Sequence, residues 1–309
     1  MADLEAVGTI IANSWSDPLT ARYRDLTVSL PPPPCEGFQM LLALRILDGF
    51  DLGALQNNGI EHLDIVLRAI RLAAGDRIVH NNPPPAKLAE LLSEGHIARL
   101  RAKVRSGATI DGPTEQWTGM PAAEHHTTSM SIGDGDGNLV CLTNSLGSPY
   151  GAAVIVPGTG VTLNNFMHWA DAQPDSPHRA KPGDALPMCM APTISTRNGA
   201  AVLALGTPGS YGILQTQVQA LVQYVDFGHS LQQAIEQPRI RLWDGRQIEP
   251  ETRLPPDVLA ALAERGHTII PSEDWVMRVG GMQGVTRDPS TGLMSGGCDP
   301  RRDGYVVPA

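Results

Sequence analysis

The sequence predicts a mixed α+β fold, in one large domain or two small ones, and three observations carry the fold class. Helix-period runs gather between residues 38 and 104. Alternating, strand-like runs dominate from residue 127 onward, and 26 prolines with 32 glycines supply the tight turns of a sheet-rich chain.

Taken in order, residues 1–30 read as a short helix and then a strand over 23–30. Pro31 to Pro34 stop that strand, because proline has no N–H to donate to a ladder. Apolar residues at i, i+3 and i+4 predict a helix over 38–47, with Gly49 near its end. Two more helices are expected over 60–74 and 86–104. A proline-bearing approach, 107–123, then leads to His125-His126-Thr127-Thr128 and an alternating run. Asp134-Gly135-Asp136-Gly137-Asn138 separates two such runs and predicts a hairpin. Its acidic residues lack the closing glutamate of an EF-hand loop, so a plain turn is expected. Strands over 191–196 and 200–205, helices over 212–227, 231–236 and 256–265, and a sheet-forming tail complete the chain.

Bulk properties exclude several classes. A net charge of −9 with no basic run argues against nucleic-acid binding. No apolar stretch approaches the roughly 20 residues of a membrane helix. Met1-Ala2-Asp3-Leu4-Glu5 has neither a basic flank nor an apolar core, so no signal peptide and a cytoplasmic location are expected. Cys35, Cys141, Cys189 and Cys298 are scattered, with no CxxC or Cys-His cluster, so neither structural zinc nor a cofactor is expected. Reduced thiols are the simpler reading and two disulfides the alternative.

One stretch carries chemistry. Thr127, Thr128, Ser131 and Asp134 fit a Thr-Thr-x-x-Ser-x-x-Asp pattern. Pro157-Gly158-Thr159-Gly160, Pro192-Thr193-Ile194, Gly206-Thr207-Pro208-Gly209, Pro238-Arg239 and Asp299-Pro300-Arg301 follow it. With these the chain resembles the γ-glutamyltranspeptidase family over nearly its whole length. The resemblance implies a four-layer αββα sandwich of the N-terminal nucleophile hydrolase type, incomplete at its N-terminal side. It divides a single domain into a large-subunit-like part, 1–126, with a cleavage linker over 106–126, and a small-subunit-like catalytic part, 127–309.

It further implies scission between His126 and Thr127. A hydroxyl is a weak nucleophile until a base takes its proton, and a freed threonine carries its own base, an α-amine of reference pKa about 8. Adjacent His125 and His126 on an extended segment point to opposite sides, so they read as the leaving end of a cleavage loop and not as a metal site. Ser145 falls where the family has a hydroxyl beside that amine; a strand-end serine bonding local backbone is the alternative. Gly209 and Ser210 match a turn whose N–H groups form an oxyanion hole, although the family has two glycines there and serine restricts φ. A plain strand-to-helix turn is the alternative.

The positions with which transpeptidases grip the glutamyl amine and carboxylate hold Gly147, Phe166, Trp169, Met188 and Cys189. None compensates a buried charge for its lost hydration. Glutathione is therefore disfavoured, and a small-molecule amide with an apolar or aromatic acyl group is expected, as in the acylase-like branch. Cleavage of a C–C bond beside a carbonyl in a biosynthetic pathway is the alternative. Phe166 and Trp169 also read as plain core residues. Cys189 as nucleophile lacks a histidine at recognisable spacing, and His168 is a candidate substrate contact. The family's leading segment, with an arginine for the substrate carboxylate, would precede Met1. A companion chain or a homo-oligomer would cover the faces left bare; a shortened remnant is the other reading, and a catalytically silent subunit is the competing function.

Overall fold

The computed structural model describes residues 15–112, 127–170, 179, 181–183, 185–270 and 272–308. Most of the cleavage linker, with His125 and His126, lies outside the described residues, as does most of the short helix expected near the start.

The predicted strand over 23–30 is instead a hairpin of β1 (Leu19–Tyr23) and β2 (Leu26–Leu30). Arg24 is the reason: it reverses the chain at φ 54°, its backbone N–H bonded to Asp48 and its guanidinium to Asp226. Helix α1 (Phe38–Leu47) buries nine of its ten residues, as a helix apolar on all sides must. Helix α2 (Ile60–Val79) continues past its expected end. The expected helix over 86–104 is two, α3 (Pro85–Leu91) and α4 (Glu94–Arg105). Ser93 breaks the run by taking extended backbone angles and capping His96 N through its hydroxyl.

The predicted hairpin is present as β3 (Thr127–Gly133) and β4 (Leu139–Ser145). Asp134 closes its turn by accepting the backbone N–H groups of Asp136 and Asn138 at 3.1 and 2.9 Å. Strands β5 (Thr193–Arg197) and β6 (Ala200–Gly206) and helices α5 (Ile213–Val225), α6 (Leu231–Glu236) and α7 (Pro256–Glu264) follow as expected. A small sheet of β7 (Ile240–Leu242), β8 (Gln247–Pro250) and β9 (Thr268–Ile269) was not foreseen. Strands β10 (Gln283–Arg287) and β11 (Met294–Cys298) complete an antiparallel main sheet of order β1-β2-β5-β6-β10-β11.

The core joins this sheet to α1, α2 and α5. The β3–β4 hairpin lies across the sheet, with Ser129 and Cys141 against Gly206 of β6, and Gly133 against Val285 of β10. Its other face carries Met130, Ile132, Val140 and Leu142, all 46–54% exposed. All four cysteines are free thiols. Among the described residues no helix is long and apolar enough to cross a membrane.

Candidate active site

Thr127 opens β3 and is paired with Ser145, the last residue of β4. Residues opposite each other on paired strands share a face. Both hydroxyls therefore point toward the main sheet, and Thr127 Oγ1 donates to Ser145 Oγ at 2.9 Å. The Gly147 N–H donates to the same oxygen at 3.1 Å. Residues 127–131 form one wall of a cleft of about 450 Å³, completed by Pro208, parts of β10 and β11, and residues 302–307. A larger cavity, about 860 Å³, lies elsewhere, beside Arg24, Asp48 and Asp226, and includes none of the site residues expected from the sequence.

Pro208 belongs to the turn by which β6 enters α5. Gly209 there has φ 133°, and Ser210 follows at φ 54°, the left-handed region that a side chain rarely occupies. Ser210 thus adopts the backbone a glycine would. A second turn braces this one from behind. A Cβ on Gly209 would lie 3.2 Å from Gly280 Cα, and Thr207 Oγ1 accepts the Gly281 N–H at 3.0 Å.

That second turn is held in its place by buried charge. Arg239 donates to Val279 O at 3.1 Å and Arg241 to Arg278 O at 2.8 Å. Arg239 is ion-paired with Asp299, which Arg301 also contacts at 3.0 Å. Arg301 then grips Glu251 through Nε and Nη2, each at 2.6 Å. Burial alone would raise the Asp299 carboxyl, but Arg239 and Arg301 outweigh it and hold it below the ordinary range. The Pro238-Arg239 and Asp299-Pro300-Arg301 motifs therefore position the turn. Glu251 was not singled out from the sequence; no spacing ties it to either motif.

The remaining sequence-predicted residues form a chain of contacts leading from Ser145. Gly147, at φ 90°, has Asn165 and Phe166 packed where a Cβ would stand. Phe166 and Trp169 are buried and meet edge-on at 5.2 Å. Trp169 lies 5.9 Å from the ring of Tyr211, which follows Ser210 directly. His168 is exposed, 6.4 Å from Trp169. Met188 is placed differently: its backbone accepts from Glu36 N at 2.7 Å and donates to Pro34 O at 2.9 Å. Cys189 is fully buried, and its thiol is pushed far up by burial and then by Glu36, which suits an inert packing residue. None of Gly147, Phe166, Trp169, Met188 and Cys189 is among the described residues lining the cleft at Thr127. No group of three His, Cys, Asp or Glu among the described residues could hold a metal ion.

A family model described as Gamma-glutamyltranspeptidase matches residues 11–309. The Acylase ACY 1 proenzyme of Pseudomonas sp. (strain V22) is 32% identical over 299 residues, which cover 94% of this chain and 51% of that one. The glutathione hydrolase proenzyme of Bacillus subtilis (strain 168) is 26% identical, over 94% of this chain and 52% of its own. Among solved structures, the cephalosporin acylase from Bacillus halodurans superimposes with a TM-score of 0.81 at 28% identity, over 95% of this chain and 53% of that one. A gamma-glutamyltranspeptidase chain from Pseudomonas nitroreducens, complexed with L-DON, matches over 99% of its length and 59% of this chain, with a TM-score of 0.52 at 28% identity. The chain spans about half the length of the curated relatives it matches.

Proposed function

Given that this chain belongs to the γ-glutamyltranspeptidase family, we propose that it is a self-processing amide hydrolase or acyltransferase with Thr127 as nucleophile. The observation that carries the reading is the Thr127–Ser145 hydrogen bond, made beside a cleft that includes the oxyanion-turn residue Pro208. In this reading the Thr127 hydroxyl attacks the carbonyl of residue 126, and hydrolysis of the resulting ester frees the Thr127 amine. That amine sits on the same residue as the hydroxyl and serves as its base. It takes the hydroxyl proton as Oγ attacks the substrate amide, and returns it to the departing amine. The N–H groups of Gly209 and Ser210 receive the developing oxyanion, and water or an amine then releases the acyl group. Two comparisons support processing. The two curated relatives carry proenzyme names. Moreover, the gamma-glutamyltranspeptidase chain from Pseudomonas nitroreducens is matched over 99% of its own length yet covers 59% of this chain.

For the acyl group, the edge-on Phe166–Trp169 pair beside Gly147 supports an apolar or aromatic face over a free ammonium and carboxylate. The four-layer αββα arrangement is supported by the hairpin lying across the main sheet with helices beneath it.

A second reading, a catalytically silent subunit, draws on the bare outer face of the hairpin. Two strands alone are marginal, and a contiguous apolar face calls for cover. Polypeptide equivalent to the other half of the relatives' length, in a companion chain or a longer one, is the cover that fits. Intact mass under denaturing conditions separates the two readings. Fragments of 126 and 183 residues, absent from Thr127→Ala, are expected; a single uncut species from the unsubstituted chain would favour silence.

A further inference from the structure

A small basic cavity lies behind the Ser210–Gly212 turn. It measures about 90 Å³, room for about three liquid waters or one small anion. Arg71 and Arg77 of α2, Arg241 of β7, Tyr211, Gln215 and Trp243 line it. The three guanidiniums are only 4, 2 and 3% exposed, in a chain whose net charge is −9.

Two of the three have clear employment. Arg77 lies 3.3 Å from Glu36 and stacks over Tyr211 at 4.2 Å. Arg241 donates to Arg278 O and stacks over Trp243 at 4.1 Å. Arg71 differs. Its Nη1 has long contacts with Ile110 O at 3.5 Å and His267 Nδ1 at 3.4 Å, while Nε and Nη2 are buried with no hydrogen-bond partner. Of the nearby carboxylates, Asp64 is engaged with Arg265 and His267 and Asp111 with Arg246, while Asp244 also lines the cavity and has interactions of its own. Burial, and then the neighbouring Arg68, pull the Arg71 guanidinium down to about 10.

Three idle N–H bonds on two nitrogens of a buried guanidinium are costly. Nε and Nη2 also form the edge that takes both oxygens of a carboxylate or phosphate side-on. We propose that this cavity binds a small oxyanion, a carboxylate or phosphate group, through Arg71 Nε and Nη2, with Tyr211 and Trp243 as its walls. Tyr211 joins it to the active site, since one neighbour in sequence is Ser210 and the Trp169 ring lies 5.9 Å away. The anion is either free in solution or the far end of an acyl chain; the latter source alone rests on the Thr127 reading.

Calorimetric titration of the full chain with inorganic phosphate and with acetate, at ionic strength held constant by sodium chloride, tests the site without any turnover. Saturable binding, weakened about tenfold or more in Arg71→Gln, is the expected result for a free anion. Arg71→Lys keeps the charge but loses the fork, and should weaken binding too; it serves if Arg71→Gln does not fold. For the second source, an anilide whose acyl chain ends in a carboxylate is compared with its methyl ester. A rise in KM in Arg71→Gln for the acid alone assigns the site to the acyl chain. Anion binding that is indifferent to Arg71, or no binding together with unchanged KM for both anilides, overturns the proposal. If the anilides are not turned over at all, Thr127 has failed, and the titration decides the cavity by itself.

Discussion

Gly206 in β6 and Ser129 in β3 leave no space between them: a Cβ on the glycine would collide with the serine hydroxyl and stand 2.9 Å from Cys141 Sγ. The hairpin that carries Thr127 and Ser145 therefore rests on a bare stretch of backbone. Gly206→Ala must lift that hairpin or shift the main sheet. Overpacking of this kind costs about 1–3 kcal/mol. Urea unfolding should show that loss, and the 126- and 183-residue fragments should form more slowly. An unchanged midpoint would mean the two layers slide freely.

Ser210 keeps a left-handed backbone at a cost that glycine would not bear. Strain of about 1–2 kcal/mol is relieved in Ser210→Gly, partly offset by about 0.4–1 kcal/mol from a freer unfolded chain. A neutral to slightly stabilising effect with activity retained is expected. Ser210→Val, branched at Cβ, should lose both stability and hydrolysis. Equal melting points for the two variants would contradict the strained geometry.

Asp299 sits between Arg239 and Arg301 with all three side chains buried. Asp299→Asn strands those guanidiniums, and breaking a buried pair in this way costs about 3–5 kcal/mol. Asp303→Asn, at an exposed position, is the control and should be silent in urea. The same network sets an acid limit. Burial raises the Asp299 and Glu251 carboxyls, but their arginines prevail and both end below the ordinary range. Their stabilisation is present above the unfolded carboxylate pKa, near 4, and is lost as pH falls through the lower folded values.

His62 acts in a separate window. Burial holds its imidazole down at about 4, packed edge-on against Phe227, with Nδ1 accepting the Asn58 N–H at 3.1 Å. Below an unfolded pKa of about 6.5 the unfolded chain takes up a proton that the folded ring refuses. Stability should thus be full above that pH and fall by up to about 3 kcal/mol on the way down to pH 4. Unfolding free energies measured across that range should be flatter in His62→Gln. Parallel curves for the two proteins would count against a buried neutral ring.

Much of the site was legible because it is local. The turn at Asp134–Asn138 sets the register of the hairpin, and that register alone brings Thr127 opposite Ser145. The glycine turn before Ser210 was legible from its composition. What escaped was long-range: Arg24 turning a predicted strand into a hairpin through Asp226, and Glu251 joining two distant motifs. No spacing along the chain encodes those partners.

The sequence by itself determined that β3 and β4 alternate, with hydroxyls on one face and Met130, Ile132, Val140 and Leu142 on the other. Only the tertiary structure decided which face turns inward, and it is the hydroxyl face. The reason is steric. The main sheet offers the hairpin a glycine surface at Gly206, where only side chains as small as Ser129 and Cys141 can approach, so the larger apolar residues are left on the outside.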